Sequence, residues 1–216
     1  MTAVAASKRK ARVLPGSWAH MTDRGTVVRA AAELFDRHGY AETTMQHVAD
    51  VLHISKPTLY KHARSKSDIL QLIIDEWIDQ SDQGLESALK LENRSARIPR
   101  LVHEWTERAV ANSAHLSVFL SDERDMPPQA VARYRAWSGK VYRTFRTMIE
   151  DGQATGDYRS DVDATVSAFG ILGFILLLPR WLKSGGRLSP AQVADEFLKT
   201  LHDGLVAKPS KGNGHG

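Results

Sequence analysis

The sequence predicts an all-α protein of about nine helices. Along most of its 216 residues, apolar side chains recur at spacings of three and four, the period of a helix with one buried face. Capping residues and Gly or Pro breakers separate these runs, and no strand-like alternation of useful length and no internal repeat occurs. The pattern indicates an N-terminal three-helix unit followed by a larger helical domain.

The run from Thr43 to Lys66 is the most informative stretch and reads as a helix, a tight turn and a second short helix. Thr44 suits the N-cap of the first of these helices. Val48, Ala49 and Leu52 then fall on one face, at the spacing that packs a helix against a core.

The turn and the second helix follow from the next residues. His53 stands where the chain must turn, and His is among the few residues besides Gly that adopt a positive φ, at some cost in strain. Ser55 can cap the next helix, and Pro57 is tolerated in its first turn because backbone N–H groups lack partners there. Leu59 is expected to point back to the core.

The outer face of this second helix carries hydrogen-bond donors and an aromatic ring. These side chains suit phosphates and base edges, and a helix of this size, presented by its predecessor, fits the major groove of DNA. They are Lys56, Thr58, Tyr60, Lys61 and His62. The alternative is an ordinary helical hairpin with a solvated polar face.

The segment from Arg24 to about Leu72 resembles the DNA-binding domain of TetR-family transcriptional regulators. The matching residues are Leu34-Phe35-Asp36-Arg37-His38-Gly39, Thr43-Thr44, Val48-Ala49, Ser55, Thr58-Leu59-Tyr60, His62 and Ser65-Lys66. The resemblance implies that Ser55 to His62 is the recognition helix. It also implies that Lys66 opens the fourth helix and contacts a phosphate.

By the same resemblance, Thr44 would touch the DNA backbone. The candidate DNA-binding residues are therefore Thr44, Lys56, Pro57, Thr58, Tyr60, Lys61, His62 and Lys66. The sequence departs from the family at His53, which replaces a usual Gly, and at Ala63, which replaces a usual aromatic. We expect His53 to tighten or strain the turn and Ala63 to remove a packing group beside the recognition helix.

Charge and composition agree with a DNA-binding protein. Residues 1–66 carry 11 Lys and Arg against 5 Asp and Glu, a balance of +6, whereas residues 67–216 carry 18 against 20, a balance of −2. Such a basic end suits phosphate binding, although solubility alone also explains it. The absence of Cys and of a recognisable signal peptide predicts a reducing, cytoplasmic setting.

Four regions are expected along the chain. Residues 1–22 form a disordered basic tail, residues 23–68 the helix-turn-helix domain, residues 69–206 an effector-binding and dimerisation domain, and residues 207–216 a flexible Gly-rich tail. The N-terminal tail is either a DNA-binding arm or only a solvated extension.

The larger domain is helical throughout. The helix beginning near Lys66 is expected to bury Ile69, Ile73 and Trp77. Further helices are expected over 96–113, from Pro127-Pro128 to near 152–156, and from Ser189-Pro190 onward. A short apolar piece covers 115–120. Asp161 is expected to cap the helix that runs to about residue 183.

The run from Ala168 to Pro179 is apolar on every side, so a helix there must be buried on every side. The run is too short to span a membrane, and its Gly170 and Gly173 allow another helix to approach closely. Together with the last helix it resembles the TetR-family dimer interface, which implies a homodimer. A central core helix in a monomer is the alternative.

The middle helices offer aromatic side chains that can line an effector pocket, the feature that the resemblance places in this region. The candidate ligand-binding residues are Trp105, Phe119, Tyr134, Trp137, Phe145 and Phe174. An ordinary core position is the alternative for each. A mostly apolar pocket points to a lipophilic effector. The end of the apolar helix, Arg180-Trp181 followed by Lys183 and Arg187, resembles the same helix end in TetR-type repressors of fatty-acid and steroid catabolism. An acyl-CoA is therefore a less favoured alternative for the effector.

Enzyme functions find no support in the sequence, which contains no GxSxG, P-loop or GxGxxG motif. His103, Glu104 and Glu107 lack the second His of a zinc-protease motif, so no catalytic residue, metal site or cofactor is nominated. Two functions stay open. One is a ligand-responsive repressor that binds a roughly palindromic duplex as a dimer, and the other is a DNA-binding dimer with no small-molecule effector.

Overall fold

The computed structural model describes residues 23–118, 126–182 and 186–205, with the side chains of residues 203 and 205 excepted. These residues form nine α-helices and no β-strand, which confirms the predicted all-α class. The helices are α1 Arg24–His38, α2 Met45–Val51, α3 Lys56–Tyr60, α4 Lys66–Leu89, α5 Arg97–Ala111, α6 Ser113–Val118, α7 Pro128–Thr155, α8 Ala164–Trp181 and α9 Pro190–Leu205. The expected tails at 1–22 and 207–216 lie outside the described residues.

Side-chain caps start the first four helices. Asp23, Thr44, Ser55 and Ser65 each accept a hydrogen bond from the backbone N–H three residues later. Each bond satisfies one of the amides that a helix N-terminus leaves without a partner. The predicted caps at Thr44 and Ser55 are confirmed, and these local bonds fix where α2 and α3 begin.

The turn between α2 and α3 contains His53 with φ of 53°, as the sequence predicts. No other non-glycine residue in the described part of the chain has a positive φ. The Ile54 N–H donates to the Ala49 carbonyl across this turn, at 3.0 Å. The turn therefore brings α3 back against the core at the expense of a strained histidine.

The core of the N-terminal unit is made by α1 to α3 and the first half of α4. Val48, Ala49, Leu52 and Leu59 are buried, as expected, and pack with apolar residues of α1 and with Ile69 of α4. The same helix α4 continues for 24 residues and buries Trp77, Ile78 and Leu85 farther along. The proposed domain boundary at residues 68 and 69 thus falls inside one uninterrupted helix.

Helices α4 and α5 approach closely at Gly84. A Cβ at this position would overlap the Glu104 carboxylate and lie 3.2 Å from Trp105 Nε1. Arg108 pairs with Glu104 at 2.7 Å and donates from Nη1 to the carbonyl of Gln80. The absence of a side chain at Gly84 thus lets this ion pair and the indole lie against α4.

Helix α6 joins the two parts of the molecule, because it packs on α1 and also on α4, α5 and α8. Its His115 is buried, with Nε2 4.0 Å from Glu76 Oε2. Burial, assisted by the charge of Arg29, lowers the pKa of His115 to about 4, so the imidazole is uncharged near neutral pH. Ser117 Oγ donates to Asp36 of α1.

One expected cap is wrong. The N-cap of α8 is Asp163, whose side chain accepts from Val166 N at 2.9 Å, and not Asp161. Asp161 instead forms two hydrogen bonds with the guanidinium of Arg159. That pairing engages the Asp161 carboxylate three residues before the helix begins at Ala164.

Relief of the strained turn should be measurable. We expect His53→Gly to raise the free energy of unfolding by about 0.5–1 kcal/mol, because removal of the Cβ penalty at positive φ outweighs the added freedom of the unfolded chain. Denaturant unfolding followed by circular dichroism measures the change. His38→Gly, the same replacement at the exposed last residue of α1, is the control and should lower stability. A loss of stability in both variants would contradict the strain argument.

Candidate nucleic-acid interface

Helix α3 presents a polar and aromatic face to solvent. Of its five residues only Leu59 is buried, whereas Lys56 and Pro57 are exposed and the Tyr60 side chain is 48% exposed. Lys61, which directly follows the helix, is also exposed, and His62 is half-buried. Of the predicted outer-face residues, Lys56, Thr58 and Tyr60 thus lie on one short, capped helix, whereas Lys61 and His62 follow its end.

Thr58 and Thr44 both have local bonding roles. The Ser55 and Thr58 hydroxyls are 2.9 Å apart, and Thr58 N donates to Ser55 Oγ. Thr44 accepts from His47 N, and the His47 ring accepts in return from Thr44 N at 3.3 Å. This reciprocal cap was missed from the sequence because His replaces the Glu or Gln that usually signals it. Thr44 remains exposed, so its hydroxyl is accessible to a phosphate.

Lys66 has an internal role that its sequence position did not reveal. Its ammonium donates to the carbonyls of Tyr40 and Ala41, at 2.6 and 2.9 Å, and lies 4.4 Å from the centre of the Tyr40 ring. Partial burial lowers the pKa of this ammonium from its usual value. An ammonium has three N–H donors, so one remains for a phosphate while the other two hold the α1–α2 connection in place.

The predicted ligand-binding residues occur in three separate aromatic contacts. The ring centroids of Trp105 and Phe145 are 5.5 Å apart, and those of Tyr134 and Trp137 are 6.0 Å apart. Phe174 stacks on the Phe197 ring of α9, with centroids 3.7 Å apart. Phe119 lies outside the described residues, as does Lys183 of the predicted cationic run.

Among the clefts on the described surface, two are relevant to the candidate sites. One, of about 450 Å³, lies between the end of α3, the start of α4 and the start of α7. The other, of about 290 Å³, lies between the end of α4, the start of α5 and the middle of α7. None of the five described candidate ligand residues lines either cleft. Within the described ranges no group of three His, Asp or Glu side chains is placed to hold a metal ion.

Comparison with known proteins identifies both parts of the chain. Residues 27–73 match the model of bacterial regulatory proteins of the tetR family, and residues 92–205 match the model of the tetracyclin repressor-like C-terminal domain. The HTH-type transcriptional repressor KstR2 of Rhodococcus jostii is 24% identical over 193 residues, which cover 85% of this chain and 91% of that protein. The A-factor receptor protein of Streptomyces griseus is 26% identical, over 84% of this chain and 65% of that protein.

Solved structures share the fold. The ketosteroid transcriptional regulator KstR2 of Mycobacterium tuberculosis superposes with a TM-score of 0.80 at 20% identity, over 86% of this chain and 95% of that one. AibR in complex with isovaleryl coenzyme A and operator DNA gives a TM-score of 0.72 at 24% identity, over 82% of this chain and 96% of that one.

The face of α3 can be tested with a duplex selected by the unmodified protein from a random pool. We expect Tyr60→Ala and Lys66→Ala to weaken its binding. Lys66→Ala should also lower the slope of log affinity against log salt by about 0.9, the value for one lost phosphate contact. Lys90→Ala, at the opposite end of α4, is the control.

Thermal unfolding separates the two roles of Lys66, because the lost bonds to Tyr40 and Ala41 should also reduce stability, by ~1 kcal/mol. Wild-type affinity of both the Tyr60 and Lys66 variants at several salt concentrations would contradict the assignment of this face.

Proposed function

The chain belongs to the TetR family of bacterial regulatory proteins, which are DNA-binding regulators of transcription, and we propose that it is a homodimeric repressor released from its operator by a lipophilic small molecule. The observation that carries the proposal is the polar face of α3, which the caps and Leu59 fix against a packed core. Such a helix fits the major groove, and a dimer places two copies on successive turns of a roughly palindromic duplex.

The proposed dimer rests on an unpartnered apolar stripe along α8. Val166, Gly170, Gly173, Leu177 and Trp181 fall on one side of this helix, and the first and last are 69% and 52% exposed. A Cβ at either glycine would meet nothing within 4 Å. The stripe therefore offers apolar surface and room for a second helix to approach, as the sequence pattern suggested.

The apolar run in α8 was expected to be too short to span a membrane, but the whole helix has 18 residues and, by length and composition alone, could cross one. It is the one such helix in the described residues, and 28% of it is buried. Because the helix packs on α7 and α5 along one side, the stripe on its other side is what a partner would cover. A second copy of α8 meets this need with the same chemistry on both sides.

The proposed effector finds support in buried polar groups between α4 and α5. Trp105 Nε1, Ser81 Oγ and Thr106 Oγ1 are buried and have no hydrogen-bond partner among the described residues. Buried polar groups are nearly always paired. An apolar ligand with an acceptor oxygen would therefore stabilise this region by supplying a missing hydrogen-bond partner. Several relatives carry names of ligand-responsive regulators, which agrees with such a site.

A DNA-binding dimer without an effector is the second candidate. The observation that favours it is the close packing of Trp105 on Phe145 and of Phe174 on Phe197, together with the position of both surface clefts away from these rings. In this candidate the interior only supports the fold. An effector titration therefore decides between the two.

The dimer is tested by a charge in the α8 stripe. We expect Leu177→Glu to convert a dimer into a folded monomer, because the side chain is exposed in one protomer and would be desolvated without a partner in the dimer. Sedimentation equilibrium at micromolar concentration measures the mass, and circular dichroism checks the helices. Ala132→Glu, at an exposed position of α7, is the control and should stay dimeric. A monomeric unmodified protein at that concentration would exclude the interface.

The effector is tested by titrating the protein–operator complex with fatty acids, acyl-CoA thioesters, steroids and aromatic hydrophobes. We expect one class to weaken operator binding roughly 5- to 150-fold, the range of typical allosteric coupling. Trp105→Phe should reduce the response to a ligand that accepts from Nε1, and it should leave operator affinity without ligand unchanged. No release by any class would leave the effector-free dimer as the function.

A further inference from the structure

The smaller cleft, at the end of α4 farthest from the recognition helix, has an unusual set of side chains. It is a groove of about 290 Å³, and we call it the basic groove. Its lining residues are Leu89, Arg97, Lys140, Arg143, Thr144, Thr147, Met148 and Asp151. They come from α4, α5 and α7 and include none from the α8 stripe.

Two of the three cations in the basic groove are not neutralised. Lys140 Nζ lies 3.0 Å from Asp82 Oδ2, and the acid of the groove, Asp151, lies 3.9 Å from Arg94. Arg97 and Arg143, in contrast, form no ion pair with any carboxylate of the described chain. The groove therefore keeps a net positive charge after its own pairs are formed.

The guanidinium group of Arg97 is held in position, whereas the side chain of Arg143 is exposed. Arg97 donates from Nε and Nη2 to the Leu91 carbonyl, at 3.2 and 3.0 Å, which leaves three of its five N–H groups for another acceptor. Arg143 folds back along α7 so that its Nη1 is 3.3 Å from the place where a Cβ of Gly139 would be. Guanidinium groups with fixed geometry suit the planar recognition of carboxylate or phosphate.

The remaining lining residues add apolar and hydroxyl surface. Leu89 is 38% exposed and Met148 is buried, and both line the groove. Thr144 and Thr147 add hydroxyls to the lining, and the Thr144 hydroxyl donates to the Lys140 carbonyl at 3.0 Å. From this combination we propose that the basic groove binds a small amphipathic anion, in which a carboxylate or phosphate contacts Arg97 and Arg143 and an apolar body covers Leu89 and Met148.

The position of the basic groove gives such binding a consequence. The groove contains the last residue of α4, whose first residues support the α1–α2 connection through Lys66. An anion bridging α5 and α7 there would shift the preferred tilt of α4 and with it the position of α3. This inference deepens the proposed function, on which its regulatory meaning rests, by naming the chemical class that the effector's anionic end belongs to.

Isothermal calorimetry on the dimer without DNA tests the groove. The probes are decanoate, its neutral methyl ester, decanoyl-CoA and inorganic phosphate. We expect decanoate or decanoyl-CoA to bind, and Arg143→Gln to weaken that binding roughly fivefold, the upper range for one partly exposed ion pair. Higher salt should weaken it as well. The probe whose binding depends on Arg143 identifies a carboxylate or a phosphate as the occupant.

Lys199→Gln removes an exposed, ion-paired cation from α9 and is the control, for which wild-type affinity is expected. Equal binding of decanoate and its methyl ester overturns the proposal, as does equal binding by Arg143→Gln. Binding of inorganic phosphate as tight as that of decanoyl-CoA overturns the role of the apolar floor, and no binding by any probe overturns the site.

Operator release separates this inference from the proposed function. Release of DNA by one of these probes with equal potency from the unmodified protein and from Arg143→Gln leaves the effector function in place and excludes the basic groove. Arg143-dependent binding that never releases DNA has the opposite meaning, because the groove then exists and the effector function fails.

Discussion

The continuity of α4 is the constraint on which the rest of the structure depends. A helix of 24 residues extends about 36 Å, and its backbone hydrogen bonds make it stiff over that length. Its first turns complete the core under α3, and its later turns complete the core between α5 and α7. The two parts of the molecule therefore share one rigid element, and a tilt imposed at one end is felt at the other.

Helix α6 provides the second connection between these parts, and it differs in kind from α4. Its uncharged, buried His115 lies beside Glu76 of α4, and its Ser117 donates to Asp36 of α1. Such a short helix is held by packing rather than by its own hydrogen bonds, so it can shift with little loss of internal structure. Helices α4 and α6 are thus two elements that connect the unit containing α3 to the C-terminal helices.

Two groups of residues in the C-terminal helices differ in what they do, because one stabilises the interior and the other is exposed for a partner. The stacked and tilted aromatic pairs fill the interior, whereas the α8 stripe exposes apolar side chains and two glycines that a stable monomer would not expose without use. The two arginines of the basic groove, which form no ion pair with a described carboxylate, are a second such feature. At each of these two places a second molecule would lower the free energy, by covering apolar surface on α8 or by pairing the charges of the groove.

The sequence by itself determined the features that depend on neighbours along the chain. The caps at Thr44 and Ser55, the turn at His53, the burial of Leu59 and the limits of most helices all follow from hydrogen bonds or periodicity within a few residues. The family resemblance, which the comparisons confirm, added the arrangement of the units. The cap of α8 was placed at Asp161 instead of Asp163 because two similar acids lie within three residues, and only the pairing with Arg159 distinguishes them.

Only the tertiary structure decided what distant residues do together. Lys66 bonds to carbonyls about 25 positions away, the candidate pocket aromatics separate into three contacts, and Arg97 and Arg143 line one groove although 46 positions separate them. The period of a helix states which side of it is buried, but the partner on that side depends on how the helices cross. Long-range contacts of this kind leave no local pattern in a single sequence. The sequence could therefore predict only those features that hydrogen bonds and packing between nearby residues determine.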